Sequence, residues 1–527
     1  MKRFALLLDQ LAYESQRNEK IRLLTAYFKE VPDPDRGIAL AALTGTLDIA
    51  NAKPAFLRGL IEERVDPVLF RMSYDYVGDM AETISLLWPD QDDISADLGL
   101  AHLVETLNAT SKSDMPGRIA GWLNQLTATE RWALIKLMTG GLRIGVSARL
   151  AKTAVAKLGT LKINDIEEVW TGLEPPYESL FAWAEGHADK PAIDRAAPFR
   201  PVMLAHPLDE KDQDKLDANS FIAEWKWDGI RVQAASENGV KRLYSRTGDD
   251  ISHTFPDLID AMGFDGAIDG ELLVMRDGKA APFSDLQKRL NRKRVTASLL
   301  KSHPTAIMAY DLLFDGAEDL RPLPFEERRR RLEAWYQRNA SDRFLLSTVV
   351  PFDGWDDLAA QRAAPADTGI EGLMLKRRDS VYEPGRPKGP WFKWKRDPFL
   401  IDAVLLYAQR GHGKRSSFYS DYTFGVWDDN TLVPVGKAYF GFTDEELKQI
   451  DKFVREKTIN RFGPVREVVH EPDEGLVLEV AFEGLNESTR HKSGVAMRFP
   501  RISQLRWDKP PHEADTIETL RALLPRS

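Results

Sequence analysis

The spacing of apolar residues changes twice along this chain, which calls for three successive kinds of architecture. Up to about residue 195, apolar side chains recur at three- and four-residue intervals, as in Trp132, Leu134, Ile135 and Met138. That is the period of amphipathic helices. Thr127 and Glu130 have capping-box spacing at the start of one such helix, and Gly140-Gly141 end it. The next segment, Leu142-Arg143-Ile144-Gly145-Val146-Ser147, reads as a glycine-punctuated basic loop leading into another helix. From about 205 to 398, strand-like runs such as Ile307-Met308-Ala309-Tyr310 alternate with charged helical stretches such as 325–335, an α+β texture. Beyond 398 strands dominate. Leu476, Leu478, Val480 and Phe482 alternate with Val477, Glu479, Ala481 and Glu483, and Asp428-Asp429-Asn430 marks a turn. One helix intervenes, capped by Thr443 with Glu446 and carrying Leu447, Ile450 and Val454 as its stripe.

A chain of 527 residues holds about three domains at roughly 100–200 residues each. A Pro/Ala-rich stretch through Pro191, Pro198 and Pro201 reads as a linker. The expected domains are therefore helical over 1–200, α+β over 201–398, and a small β-barrel over 399–527. The oligonucleotide-binding barrel, the OB-fold, has this order of strands and one helix. There is no cysteine, which excludes disulfides, thiolate zinc sites and iron–sulfur clusters. The apolar run of Met1–Asp9 is too short for a signal-peptide core, and no stretch reaches the roughly 18 apolar residues of a membrane span. A cytoplasmic, monomeric protein without membrane contact is expected. The net charge of −9 sits badly with a nucleic-acid partner, but contact with phosphate depends on local cations. From Lys376 to Arg396 there are eight Lys/Arg against two acids.

The segment Phe221-Ile222-Ala223-Glu224-Trp225-Lys226-Trp227-Asp228-Gly229-Ile230-Arg231-Val232 reads as strand, tight turn, strand. Lys226 enters the turn, with Glu224 on the same strand face. A free lysine is a poor nucleophile: with a reference pKa near 10.4, deprotonation at pH 7 costs roughly 4.6 kcal/mol. Burial or neighbouring cations would lower that cost. Taken alone, Lys-Trp-Asp-Gly is also compatible with a plain hairpin whose lysine snorkels. In Trp391-Phe392-Lys393-Trp394-Lys395, alternation puts both lysines on one face, where two ammonium groups can meet one phosphate.

Further segments follow in a particular order: Ser245-Arg246, Asp269-Gly270-Glu271, Tyr310-Asp311-Leu312-Leu313, Glu371-Gly372-Leu373-Met374-Leu375-Lys376 and the paired lysines. Arg498-Phe499-Pro500-Arg501 and Arg506-Trp507-Asp508-Lys509 stand near the end. Together with Lys226-Trp227-Asp228-Gly229-Ile230-Arg231, they resemble the motifs of the covalent nucleotidyltransferases, the polynucleotide ligases and mRNA capping enzymes. Within these, the chain is similar to the ATP-dependent DNA ligases of bacterial three-domain type. The resemblance covers about residues 200–510 at motif level.

The resemblance implies an all-α DNA-binding domain, an α+β adenylyltransferase domain and a C-terminal OB-fold barrel. It implies sealing of 5′-phosphate/3′-hydroxyl nicks in duplex DNA, in repair, replication or recombination. Lys226 would carry AMP, with Lys393 and Lys395 as catalytic partners. Glu224, Arg231, Arg246, Glu271, Tyr310, Arg506 and Lys509 would bind ATP: Glu224 at the adenine edge, Tyr310 under the base, Arg231 near the sugar and nick, Arg506 and Lys509 on pyrophosphate. Arg246 would also grip the 5′-phosphate through its fork. Glu271 and Glu371 are hard oxygen ligands suited to Mg²⁺, or Mn²⁺. The barrel would close over ATP and turn away for DNA, with a hinge near Arg396-Asp397-Pro398.

The helical region resembles the DNA-binding domain of the larger ligases, and Leu142-Arg143-Ile144-Gly145 a DNA-contacting segment there; a helix-ending turn with one exposed arginine is the plainer reading. The basic run Lys288-Arg289-Leu290-Asn291-Arg292-Lys293-Arg294 is expected at the duplex backbone through Lys288, Arg289 and Arg292, with a solvated helix face as the rival. Without cysteines the chain lacks the zinc finger of NAD-dependent ligases. The ending and the Glu371–Lys376 motif look like ligase rather than capping enzyme, and an RNA ligase would not usually bring the helical domain. Every matched motif position carries a competent residue, so a dead DNA-binding scaffold finds no support. Repair helicases or nucleases are partners with which related ligases work.

Overall fold

The computed structural model describes residues 1–524 apart from 50–54, 78, 91–97, 141, 193–195, 291, 293–294, 366, 368, 411–417 and 490. The chain forms two compact units: 1–166, 174–191 and 398–527 in one, 167–173 and 192–397 in the other.

The first unit opens with helices from Lys2–Tyr13 through Glu178–Ala184. Helix Ala128–Thr139 shows how the local signals act. The Thr127 hydroxyl accepts from the Glu130 N–H, and the Glu130 carboxylate accepts from the Thr127 N–H. Both satisfy donors that the first helical turn leaves free. Leu134, Ile135 and Met138 are buried, and Gly140 closes the helix in the left-handed region at φ 66°. Gly141, expected to share that task, lies outside the described residues. No described helix is long and apolar enough to cross a membrane.

The same unit holds the C-terminal barrel. Strand Phe399–Arg410 pairs with Tyr419–Asp428 along one edge and with Val465–Val468 and Val477–Phe482 along the other. Val477–Phe482 pairs on with Arg501–Arg506. Leu478, Val480 and Phe482 fill the interior, as their alternation requires. Asp428 faces Thr431 across a two-residue turn in which Asp429 takes φ 53°. Helix Asp444–Glu456 has the Thr443/Glu446 capping box and buries Leu447, Ile450 and Val454.

The second unit is built on two sheets. One runs His206–Pro207, Trp391–Lys395, Ile370–Arg377, Phe221–Trp227, Val349–Val350. Its core is Phe221, Ala223, Leu373, Leu375, Phe392 and Trp394, packed with Leu358 of helix Trp355–Ala363. The other runs Val240–Ser245, Ile230–Glu237, Gly266–Arg276, Thr305–Asp315, Glu318–Asp319. It packs Val232, Ile268, Leu272 and Ile307 against Leu332 and Trp335 of helix Phe325–Asn339.

The chain turns at Asp228-Gly229 between two strands as expected, but the alternative of a plain hairpin does not form. Phe221–Trp227 and Ile230–Glu237 follow each other but lie in different sheets, because both edges of each are taken by other strands. Gly229 is required for close approach: a Cβ there would sit 2.4 Å from the Leu272 carbonyl oxygen. Lys226 therefore stands where the chain crosses between sheets.

Candidate active site

Glu224 and Lys226 share the face of Phe221–Trp227 opposite Phe221 and Ala223. In the neighbouring strand, Ile370 pairs with Trp227 but Gly372 with Lys226, so Glu371 is the extra residue of a bulge. The bulge turns the Glu371 carboxylate onto the Lys226 ammonium. Gly372 permits it: φ is 149°, and a Cβ would lie 2.3 Å from the Trp394 carbonyl oxygen. Lys395 faces Gly372 from the next strand, its ammonium 3.1 Å from the second Glu371 oxygen. Phe392 and Trp394 are buried behind Lys393 and Lys395, as alternation predicts.

The charges perturb one another. Burial raises the Glu371 pKa, but Lys226 and Lys395 outweigh it and hold the carboxyl below its ordinary value. Lys393 is pushed down by burial, then by Lys395 and Lys226. Glu271, opposite Arg231 in the other sheet, is pushed up to about 8. Burial is the main cause; Lys226 opposes it and Glu371 reinforces it. Such a carboxyl is short of a cation. Glu271 is therefore a hard oxygen donor of the kind Mg²⁺ takes, whereas both Glu371 oxygens, the other expected donors, already face ammonium groups. Among the described residues no group of three His, Cys, Asp or Glu could hold a metal, so substrate oxygens or water would complete the shell.

Behind this centre lie two buried networks. Asp269 is fully buried and receives Arg231, which also donates to the Met203 carbonyl and the Tyr382 hydroxyl. The Tyr310 hydroxyl donates to Asp269 at 3.2 Å and that of Tyr382 at 2.6 Å. Glu224, also fully buried, lies 2.7 Å from Arg329 and 2.6 Å from Lys376. The Lys376 ammonium sits 4.5 Å from the centre of the Tyr310 ring. Lys376, first of the basic run ending at Arg396, therefore points inward. Asp269, Arg329, Lys376 and Tyr382 do more here than the sequence reading gave them. Asp269 and Lys376 stand inside quoted motifs; Arg329 is hidden in the run Arg328–Arg331.

Three sequence families cover most of the chain. The ATP dependent DNA ligase domain matches residues 202–395, the DNA ligase N terminus 1–156, and the ATP dependent DNA ligase C terminal region 415–509. A protein of Koribacter versatilis named "Probable DNA ligase" is 32% identical over 97% of this chain and 94% of its own. The chain belongs to the ATP-dependent DNA ligase family. "DNA ligase 1" of Korarchaeum cryptofilum is 31% identical over 81% of this chain and 79% of its own. A solved chain called Pmar-Lig_PreS3 shares the fold, with a TM-score of 0.61 and 16% identity over 95% of this chain and 99% of its own.

The remaining expected residues of the ligase are dispersed. On the barrel, Arg506 and Lys509 both pair with Asp402, at 3.2 and 2.8 Å. Arg246 is exposed in a loop braced by Ser245, Thr247 and Asp249, and has no ion-pair partner among the described residues. Arg143 is likewise exposed, at φ 28°. Lys288 is exposed and 2.6 Å from Asp285; Arg292 is exposed. Arg289 overturns its expected place at the duplex backbone. It is fully buried, 2.7 Å from Asp257, and donates to the carbonyls of Thr254 and His303. A guanidinium so committed holds the fold together and cannot reach a phosphate. Asn291, Lys293 and Arg294 of that run lie outside the described residues.

Proposed function

We propose that this ligase seals 5′-phosphate/3′-hydroxyl nicks in duplex DNA through AMP carried on Lys226 and then on the DNA 5′-phosphate. The carrying observation is the Glu371 carboxylate set between the Lys226 and Lys395 ammonium groups. It fixes the nucleophile and one phosphate-binding cation relative to each other before substrate arrives.

Lys226, once its ammonium proton has passed to water, attacks the α-phosphorus of ATP, forming the N–P bond as the bond to pyrophosphate breaks. Lys393 and Lys395 balance charge on the transferred group, where most phosphoryl-transfer catalysis lies. Burial and the two neighbouring lysines already depress Lys393, so an incoming anion relieves a strained cation. Glu271 and Glu371 would hold Mg²⁺ or Mn²⁺, which when bound neutralises phosphate charge. Tyr310 is assigned to the adenine face, with Glu224 and Arg231, both held in buried ion pairs, bracing it from behind. Arg506 and Lys509, held side by side on Asp402 with Arg506 also on Asp508, are assigned to the pyrophosphate. The nick's 5′-phosphate then displaces Lys226 from AMP, and the 3′-hydroxyl displaces AMP from the 5′-phosphate.

The domain assignment we favour is 1–200 for DNA binding, 201–398 for adenylation and 399–527 for the barrel. Arg143, Arg246, Lys288 and Arg292 are exposed cations fit for duplex phosphates. The roles we assign are repair, replication or recombination, by a monomer in the cytoplasm on nucleoid DNA.

The test is incubation with Mg²⁺ and α-labelled ATP, GTP or NAD, then a chase with nicked DNA. Label from ATP alone, absent in Lys226→Ala and released as sealed DNA forms, is the expected result. Label from GTP or NAD, or none in nucleotide-free protein, overturns it.

A further inference from the structure

Lys20 is a buried lysine in helix Arg17–Glu30 whose ammonium is spent on a distant loop. It donates to the carbonyl oxygens of Ile144 and Gly145, each at 2.9 Å. These belong to the connection between helices Ala128–Thr139 and Ala148–Ala156. The backbone there is unusual: Arg143 has φ 28° and Gly145 φ 66°. A non-glycine residue in that region is strained and persists only where its surroundings hold it. The fit is close, since a Cβ at Gly145 would lie 2.6 Å from the Lys20 nitrogen. The helix that follows is held too: the Ser147 side chain caps its start, and the Thr25 hydroxyl donates to the Ala154 carbonyl in its last turn at 3.2 Å. What this support presents is the exposed Arg143 side chain, which has no ion-pair partner among the described residues.

We infer that Lys20 is a positioning residue for DNA binding: it holds residues 143–146 in the conformation that presents Arg143 to a duplex phosphate. This rests on the reading of that loop as a DNA contact. Removing the ammonium leaves the two carbonyls without that donor, and the strained loop relaxes. Arg143 keeps its charge but loses its place.

The experiment uses the full chain as Lys20→Met, Arg143→Ala and the double variant. Binding to an unadenylatable nicked duplex is measured by anisotropy across a salt series. The label transferred from ATP to each protein is measured in parallel. Each single variant is expected to weaken binding about three- to tenfold and to reduce the slope of log K against log salt by about one. The double variant should bind no more weakly than Arg143→Ala alone, because both changes remove one contact. The rate at which ATP labels Lys20→Met should not change. Gly145→Ala, which presses on the same ammonium from the loop side, should reproduce the binding defect; it guards against a Lys20→Met protein that simply fails to fold. Wild-type affinity and slope in Lys20→Met would overturn the inference. So would additive losses in the double variant, which mean general loosening. A neutral Arg143→Ala would overturn it as well, while ATP labelling and sealing by the parent chain would leave the nick-sealing reading in place.

Discussion

Glu371 turns one carboxylate oxygen to Lys226 and the other to Lys395, so a single side chain from a β-bulge fixes both ammonium groups. Glu371→Gln keeps the shape and loses the charge. The carboxylate holds both lysines in register, and misplaced reacting groups cost up to about 100-fold, so labelling of Lys226 by ATP should slow roughly 10- to 100-fold. Single-turnover labelling measures this. A rate within twofold of the parent would make the contact incidental.

Glu271 supplies a pH dependence. Its folded pKa of about 8 lies above its ordinary 4.5, chiefly through burial. Between those values the folded state binds a proton that the unfolded state has released, so this group lowers stability as pH rises through the window. Glu271→Gln should resemble the parent in thermal stability near pH 5 and exceed it above pH 8. On the proposed role of Glu271 as a Mg²⁺ ligand, a proton would compete for the same oxygens, so more Mg²⁺ should be needed for half-maximal labelling at pH 6.5 than at pH 8.5. A Mg²⁺ requirement independent of pH would remove Glu271 from the metal site.

What could be read in the sequence was what neighbouring residues decide. The capping boxes at Thr127 and Thr443 and the alternation of Phe392, Lys393, Trp394 and Lys395 are local, and each is present in the structure. Pairings between distant segments were not legible. The strands around Asp228-Gly229 go to different sheets because of partners far along the chain. Arg289 looks like its basic neighbours until Asp257, 32 positions away, is placed beside it. Arg329 meets Glu224 across 105 positions, and Asp402 meets Lys509 across 107. No periodicity carries such information.

The burial of Arg289 gives opposite predictions for adjacent cations. Arg289→Ala leaves Asp257 without its main partner in the interior, which typically costs about 3–5 kcal/mol. Denaturant unfolding should report that loss. Lys288→Gln with Arg292→Gln should cost far less stability, because the Lys288–Asp285 pair is exposed on the lysine side, and should flatten the salt dependence of duplex binding. An unchanged slope would return these two side chains to plain solvation.

Gly372 should not tolerate a methyl group. Its φ of 149° is rare for other residues, and the added Cβ would meet backbone atoms, Trp394 O at 2.3 Å and Lys395 Cα at 2.7 Å. The strands can relieve this only by separating at the bulge that carries Glu371. Gly372→Ala should therefore lose ATP labelling more than it loses stability. Labelling at the parent rate would show that the bulge is not needed.

Arg362 reaches the same strand from outside. It donates to the Lys395 carbonyl, pairs with Asp397 at 3.0 and 3.2 Å, and lies 4.8 Å from the centre of the Trp394 ring. The Asp397 side chain is 85% exposed, and exposed ion pairs contribute little. The Lys395 carbonyl is the contact that matters, because it sets the end of the strand carrying Lys393 and Lys395. Arg362→Met should slow labelling by ATP several-fold, and Asp397→Ala should leave it within about twofold. Equal slowing in both would place the effect in the ion pair, and no slowing in Arg362→Met would show that the strand holds Lys395 unaided.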